Sequence, residues 1–145
     1  MSSYIKGIGH VGLSVSDLDE SIRFYTDVLG LEMSERREKD AFFRIGQDDV
    51  LALIQYPGGA ERFNAEMRPG KRGKAFTHFG LKAESTDAVF QFQEHLRSQG
   101  VDIIKEAYER WDGAGFYFLD PNGYTLEYIY YNPDQDSRND VTKID

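Results

Sequence analysis

Near its start, the chain alternates between apolar and polar side chains. Val11, Leu13 and Val15 are separated by single polar or small residues, and this period of two predicts a strand with one buried face. Apolar residues then fall at helical spacing over residues 22–29, and Gly30 is a typical helix end. The pattern therefore predicts a strand followed by a helix.

The same pattern returns in the second half of the chain. His10-Val-Gly-Leu13 recurs as His78-Phe-Gly-Leu81, 68 residues later. The second copy is again followed by an apolar stripe at helical spacing, over residues 89–96, and by Gly100. An internal repeat has to be recognised before single residues are interpreted, so we treat the chain as two similar halves.

Short runs rich in β-branched and aromatic residues follow each predicted helix and indicate further strands. They cover residues 41–45, 50–56, 103–106, 116–119 and 124–131. With the repeat, they predict the order βαβββ in each half and an α+β fold of two paired βαβββ modules.

The halves set the expected boundaries within a single domain of residues 1–145. The modules are predicted at about residues 5–56 and 75–131, with a polar tail over 132–145. Residues 57–74 hold four glycines and little apolar periodicity, which is typical of a linker. This linker is long enough to contain a short helix or to form a flap.

Composition and charge exclude several classes of protein. The 145 residues include 25 acidic and 17 basic side chains, a net charge of −8, which is the wrong sign for a nucleic-acid or anionic-membrane partner. The absence of cysteine excludes disulfides and thiolate ligands. The longest apolar run, Val50 to Ile54, is too short to cross a membrane. We therefore expect a cytoplasmic protein.

Two histidines and one glutamate are the candidate metal ligands. If Val11, Leu13 and Val15 face the helix layer, His10 lies on the opposite face of its sheet, and by the repeat so does His78. Glu127 lies on an aromatic strand, where an unpaired carboxylate is costly to bury. Two imidazoles and one carboxylate can hold a divalent ion and leave coordination positions open.

Each of these residues also has an ordinary structural interpretation. A strand histidine beside glycine is more often a hydrogen-bonded core residue, and a strand glutamate is more often a surface residue or a salt-bridge partner. The matched places of His10 and His78 in the two repeats favour the metal site.

Three stretches together resemble the vicinal oxygen chelate superfamily, which includes glyoxalase I, fosfomycin resistance proteins, extradiol dioxygenases and bleomycin resistance proteins. They are the run from His10 to Gly30, His78 at the start of the second half, and Phe116-Tyr-Phe-Leu-Asp-Pro-Asn-Gly-Tyr-Thr-Leu-Glu127. The resemblance extends over about residues 9–131. It implies that the modules form a cup-shaped mixed sheet.

The resemblance also implies a site and partners. His10, His78 and Glu127 match the family's metal ligands, and the metal would be Fe, Mn, Zn or Ni. Tyr117 matches a tyrosine near the metal, where a phenol can hydrogen-bond to a bound oxygen, although a plain core aromatic is equally consistent with the pattern. The implied partners are a small-molecule substrate and a second copy of the chain in a homodimer.

The chain departs from each subfamily at one position. Ala52 stands where glyoxalase I carries a ligating glutamate, and Gly12 stands where fosfomycin enzymes carry a hydroxyl residue. The dioxygenases carry a histidine several residues before Phe116, where this chain has Glu109, Arg110 and Trp111. These departures leave the reaction open.

Two further features are weaker candidates. Tyr108, Arg110 and Trp111 precede two glycines in a predicted hairpin loop, which would be either a lid with a cationic tip or an ordinary exposed loop. His95, in the predicted second helix, has no counterpart in the first half and is expected to be a half-exposed helix residue.

The resulting hypothesis is a metal-dependent enzyme of the glyoxalase/dioxygenase type, a lyase, isomerase or dioxygenase that chelates two neighbouring oxygens of a small substrate. One alternative is a fosfomycin-type thiol transferase. The other is a metal-free small-molecule binding protein of the bleomycin-resistance type.

Overall fold

The computed structural model describes residues 4–5, 7–67 and 76–134. The chain divides into two units, Met1–Gly73 (unit 1) and Lys74–Asp145 (unit 2). Most of the predicted polar tail and the second half of the predicted linker lie outside the described residues. No helix within the described ranges has the length and apolar character needed to span a membrane.

Unit 1 contains a four-stranded sheet in the order β1-β4-β3-β2. The pair β1 and β4 is parallel, and the other pairs are antiparallel. Its elements are β1 (Val11–Val15), α1 (Leu18–Arg23, continued by a π-helical turn over Phe24–Val28), β2 (Glu32–Arg36), β3 (Asp40–Ile45), β4 (Asp49–Gln55) and α2 (Gly59–Glu66).

Unit 2 repeats this topology in the order β5-β8-β7-β6, with β5 parallel to β8. Its elements are β5 (Phe79–Lys82), α3 (Thr86–Ser98), β6 (Ile103–Arg110), β7 (Gly113–Leu119) and β8 (Thr125–Tyr131). The predicted α+β class and the order βαβββ are confirmed.

The helices of both repeats begin and end at local sequence signals. The Asp17 carboxylate accepts a hydrogen bond from the Glu20 amide at 3.0 Å, and the Ser85 hydroxyl accepts one from the Ala88 amide at 3.0 Å. These caps satisfy amides that have no partner inside the helix. Gly30 and Gly100 follow the helical segments with φ of +76° and +75°, a conformation that glycine adopts without strain.

Each sheet has one face in the core of its unit. In unit 2, Phe116, Phe118 and Leu126 are fully buried, and the Phe92 ring of α3 lies 4.6 Å from the Tyr128 ring. In unit 1, Leu51 and Leu53 of β4 are fully buried in the same way. Because strand side chains alternate, Gly80, Tyr117 and Glu127 lie on the opposite face of the unit 2 sheet. We call this the site face.

A buried turn sets the register of β8. The Asp120 carboxylate, 5% exposed, accepts hydrogen bonds from the amides of Asn122 and Tyr124 at 2.9 and 2.8 Å. It also accepts one from the Asn122 side-chain amide at 3.0 Å. These bonds close the turn between β7 and β8 and so determine which β8 residues face each side.

The structure adds a strand and a helix that the pattern did not locate. All five residues of β2 are exposed, and the strand has a bulge between Met33 and Glu35. An exposed edge strand has no apolar alternation to detect, which explains why only two strands after α1 were located. Helix α2 occupies the first half of the predicted linker and buries Phe63.

The predicted hairpin loop around Tyr108, Arg110 and Trp111 is wrong. Strand β6 continues to Arg110 and β7 begins at Gly113, so only Trp111 and Asp112 form the turn. Register shifts between Ile103 and Tyr108 interrupt the period of two in β6. Glycines that resemble turn residues therefore belong to a strand.

Gly113 is required by a close backbone approach. Its φ is +155°, and a Cβ atom there would lie 1.8 Å from the Tyr130 carbonyl oxygen on the paired strand. A backbone atom cannot move away as the end of a side chain can.

We predict that Gly113→Ala lowers the free energy of unfolding by at least about 3 kcal/mol, because it combines strain at positive φ with overpacking. Denaturant unfolding measures the change. Gly46→Ala is the matched control, because Gly46 has φ of +61° and open space around it; its cost is about 1 kcal/mol. Equal costs would contradict this account of Gly113.

Candidate functional site

His78 and Glu127 meet on the site face. Glu127 on β8 pairs with Gly80 on the parallel strand β5, and His78 directly precedes β5. The His78 Nε2 atom lies 3.1 Å from Glu127 Oε2. Glu127 is only 8% exposed, so its carboxylate requires a hydrogen-bond donor or a cation. His78 provides one such donor.

Two glycines leave room for this carboxylate. A Cβ atom at Gly115 would lie 3.4 Å from Glu127 Oε1 and 2.7 Å from Ile129 Cδ1. One at Gly80 would lie 4.0 Å from Glu127 Oε2. The glycines therefore allow the buried glutamate to keep its position between the neighbouring strands.

Tyr117 is the cross-strand neighbour of Glu127 on β7. Its ring lies edge-on to the His78 imidazole, with a centroid distance of 5.1 Å and an interplanar angle of 85°. Burial raises the pKa of the Tyr117 phenol, and the negative charge of Glu127 raises it further. The phenol therefore stays protonated at neutral pH and acts as a hydrogen-bond donor.

Two cations border the site face on β6. The Lys105 Nζ atom lies 4.6 Å from the centre of the Tyr108 ring and 6.0 Å from that of Tyr117. The Arg110 guanidinium lies 5.5 Å from the Tyr131 ring and makes a 3.0 Å ion pair with Asp112. Sequence reasoning did not identify Lys105, because the bulges in β6 hide which residues share its face.

Unit 1 has the histidine without the carboxylate. His10 directly precedes β1, as His78 precedes β5, and it is exposed. Ala52 pairs with Gly12 in the same way that Glu127 pairs with Gly80, so Ala52 is the structural equivalent of Glu127. A buried methyl group replaces the carboxylate. His10 stays a predicted ligand.

The donor pair in unit 2 fits a metal ion. Imidazole nitrogen and carboxylate oxygen are common ligands of first-row metals. Ligand distances of about 2.1 Å place neighbouring donors of one ion about 3 Å apart, close to the observed 3.1 Å. Within the described ranges, no group of three or more His, Cys, Asp or Glu side chains is placed to hold a metal.

His95, the remaining histidine, is an exposed residue of α3. Its imidazole stacks on the Phe92 ring at a centroid distance of 5.8 Å and an angle of 13°. It therefore contributes to the helix surface rather than to the site face.

Residues 7–128 match the sequence family described as the Glyoxalase/Bleomycin resistance protein/Dioxygenase superfamily. The match includes both sheets up to Tyr128. The chain belongs to this superfamily, which confirms the resemblance carried by its histidine repeat and its closing motif.

Characterised relatives within the superfamily differ in their activities. A manganese-dependent 2,3-dihydroxybiphenyl 1,2-dioxygenase from Geobacillus genomosp. 3 is 29% identical over 134 residues, 91% of this chain but only 38% of that protein. The glutathione transferase FosA from Serratia marcescens is 30% identical over 123 residues, 85% of this chain and 79% of that protein. This chain thus spans less than half of the dioxygenase's length.

A solved structure shares the fold. The crystal structure of lactoylglutathione lyase from Agrobacterium tumefaciens has a TM-score of 0.67 and 20% identity, covering 88% of this chain and 96% of that one. At this identity the likeness establishes the fold alone.

The raised pKa of Tyr117 gives a titration prediction. Glu127→Gln removes a negative charge that disfavours the phenolate, so the Tyr117 pKa should fall towards, but stay above, the ordinary value of 10.0. Ultraviolet titration of phenolate, with Tyr117→Phe in each background subtracted, measures it. An unchanged pKa would contradict the coupling.

The sign of the linked effect on stability follows from the same shift. A phenol pKa raised by folding stabilises the folded chain below pH 10, and this contribution is lost as the pH rises through the folded-state pKa.

Proposed function

We propose that this chain is a metal-dependent enzyme of the glyoxalase/dioxygenase type, with His10, His78 and Glu127 as ligands of one divalent metal. Its substrate is a small molecule that offers two neighbouring oxygens to the metal. The homodimer implied by the resemblance is part of the same proposal.

The observation that carries this proposal is the His78–Glu127 pair. A carboxylate that is 8% exposed and 3.1 Å from an imidazole nitrogen is an arrangement of two metal donors on adjacent strands. A third ligand from His10 would give two neutral imidazoles and one negative charge, a set that leaves positions for a substrate.

A bound divalent metal would supply Lewis acidity that stabilises negative charge developing on the substrate oxygens. The chain's own residues provide the rest. The protonated Tyr117 phenol lies beside His78 and can donate a hydrogen bond to a substrate oxygen. Partial burial around Glu127 strengthens such interactions by excluding water.

Thiol transfer of the fosfomycin type is the second candidate. It is favoured by the FosA relative, which is 30% identical over most of both chains. Assays with a catechol, a glutathione hemithioacetal and fosfomycin plus glutathione separate these reactions. A protein that binds the small molecules without metal and turns none of them over would instead be a binding protein.

Removing the charge of Glu127 tests the metal site. Glu127→Gln keeps the size of the side chain, and we predict that its affinity for Mn²⁺ or Zn²⁺ falls at least about tenfold, roughly 1.4 kcal/mol. Equilibrium dialysis with elemental analysis gives the affinity. His95→Ala is the control, since this exposed helix histidine lies outside the proposed ligand set.

Unchanged metal binding in Glu127→Gln would contradict the ligand assignment. Loss of metal in His95→Ala would contradict the choice of histidines. Folding of both variants is checked by the same denaturant unfolding used for Gly113→Ala.

A glutamate at the empty equivalent position is the next test. We predict that Ala52→Glu tightens metal binding, because Ala52 has the register of Glu127 in its own sheet, and raises any trace glyoxalase activity. Ala52→Gln is the matched control, because it adds the same bulk without the charge.

Equal metal affinities for Ala52→Glu and Ala52→Gln would overturn this assignment. The unmodified chain should isomerise a glutathione hemithioacetal poorly, because it lacks this carboxylate. A kcat/KM on the order of 10⁵ M⁻¹s⁻¹ would show that another group serves as the base.

A further inference from the structure

Four residues form one row across the unit 2 sheet. Lys105 on β6 pairs with Tyr117 on β7, Tyr117 pairs with Glu127 on β8, and Glu127 pairs with Gly80 on β5. Directly paired residues present their side chains to the same face. The row therefore places a cation, a phenol and a carboxylate in sequence along the site face.

Lys105 is held at this place without an acidic partner. Its ammonium group lies 4.6 Å from the centre of the Tyr108 ring and 6.0 Å from that of Tyr117, distances at which aromatic rings attract cations. Among the residues that the structure describes, no carboxylate lies within ion-pair distance of Lys105. In a chain with 25 acidic and 17 basic residues, this leaves a positive charge available beside the candidate metal ligands.

Protection of the sheet edge is the alternative role for this lysine. Edge strands often carry lysine to prevent pairing with other strands, and β6 is an edge strand. However, a purely protective side chain has no need for contact with the sheet interior, whereas the Lys105 ammonium lies near the ring of Tyr117 on the neighbouring strand. Lys82 on the opposite edge strand, β5, is exposed and provides a comparison.

We propose that Lys105 binds an oxyanion of the substrate, so that the substrate carries an acidic group in addition to its two chelating oxygens. This inference rests on the proposed function. Two strand spacings separate the backbones of Lys105 and Glu127, about 10 Å. The substrate is therefore an elongated acid, with the oxyanion near the Tyr108 and Tyr117 rings and the chelating oxygens near Glu127.

The test compares two probes that chelate identically and differ in charge. 3,4-Dihydroxybenzoate carries a carboxylate, whereas 3,4-dihydroxybenzamide is neutral and has a similar shape and ring electronics. Their affinities are measured by anaerobic calorimetry on Mn²⁺-loaded protein. We expect the benzoate to bind at least about fivefold more tightly, the size of a partly exposed ion pair.

Substitutions at Lys105 assign this preference. Lys105→Met should make the two probes bind equally, Lys105→Arg should retain the preference for the benzoate, and Lys105→Glu should reverse it. Lys82→Met removes a charge from the opposite edge strand and should leave the preference unchanged.

The outcomes separate the two proposals. Equal binding of both probes to the unmodified protein, or a preference that survives Lys105→Met, would overturn the role of Lys105 and leave metal chelation intact. Failure of both probes to bind metal-loaded protein would overturn the chelating function, and the role of Lys105 with it.

Discussion

Burying the carboxylate of Glu127 is the constraint on which the site face of unit 2 depends. A charged group with 8% exposure is unfavourable unless a donor or a cation compensates for the lost water. The parallel pairing of β5 with β8 brings His78 within 3.1 Å to serve as that partner. The Asp120 turn determines the register of β8, and Gly80 and Gly115 keep the neighbouring positions free of side-chain atoms.

The two units share a topology but differ in chemistry. The same register relates Ala52 to Gly12 and Glu127 to Gly80, so the backbone of unit 1 could place a carboxylate where it places a methyl group. One repeat therefore combines histidine with glutamate and a phenol, and the other contributes a histidine alone. This asymmetry is consistent with relatives of one fold that carry out different reactions.

Aromatic side chains have two distinct roles in unit 2. Phe116, Phe118 and Leu126 are on the core face and are fully buried, where they hold the sheet against α3. Tyr108 and Tyr117 are associated with the opposite face, where their rings attract the Lys105 ammonium group. The alternation of β7 thus separates a residue that stabilises the sheet, Phe116, from one that shapes the site, Tyr117.

The sequence by itself determined the elements whose signals are local. The period-two strands, the caps at Asp17 and Ser85, the glycines that end the helices and the repeat of His10 at His78 were all predictable. They were predictable because each depends on neighbouring residues or on a single fixed offset. The face of Glu127 followed from the same alternation.

Only the tertiary structure decided the features that depend on pairing between strands. Strand β2 is an exposed edge, and bulges in β6 shift its register, so their periodicity is hidden. Gly113 resembled a turn residue until its approach to the Tyr130 carbonyl showed why glycine is required. Lys105 joined the site because cross-strand register, which a linear pattern does not encode, placed it beside Tyr117.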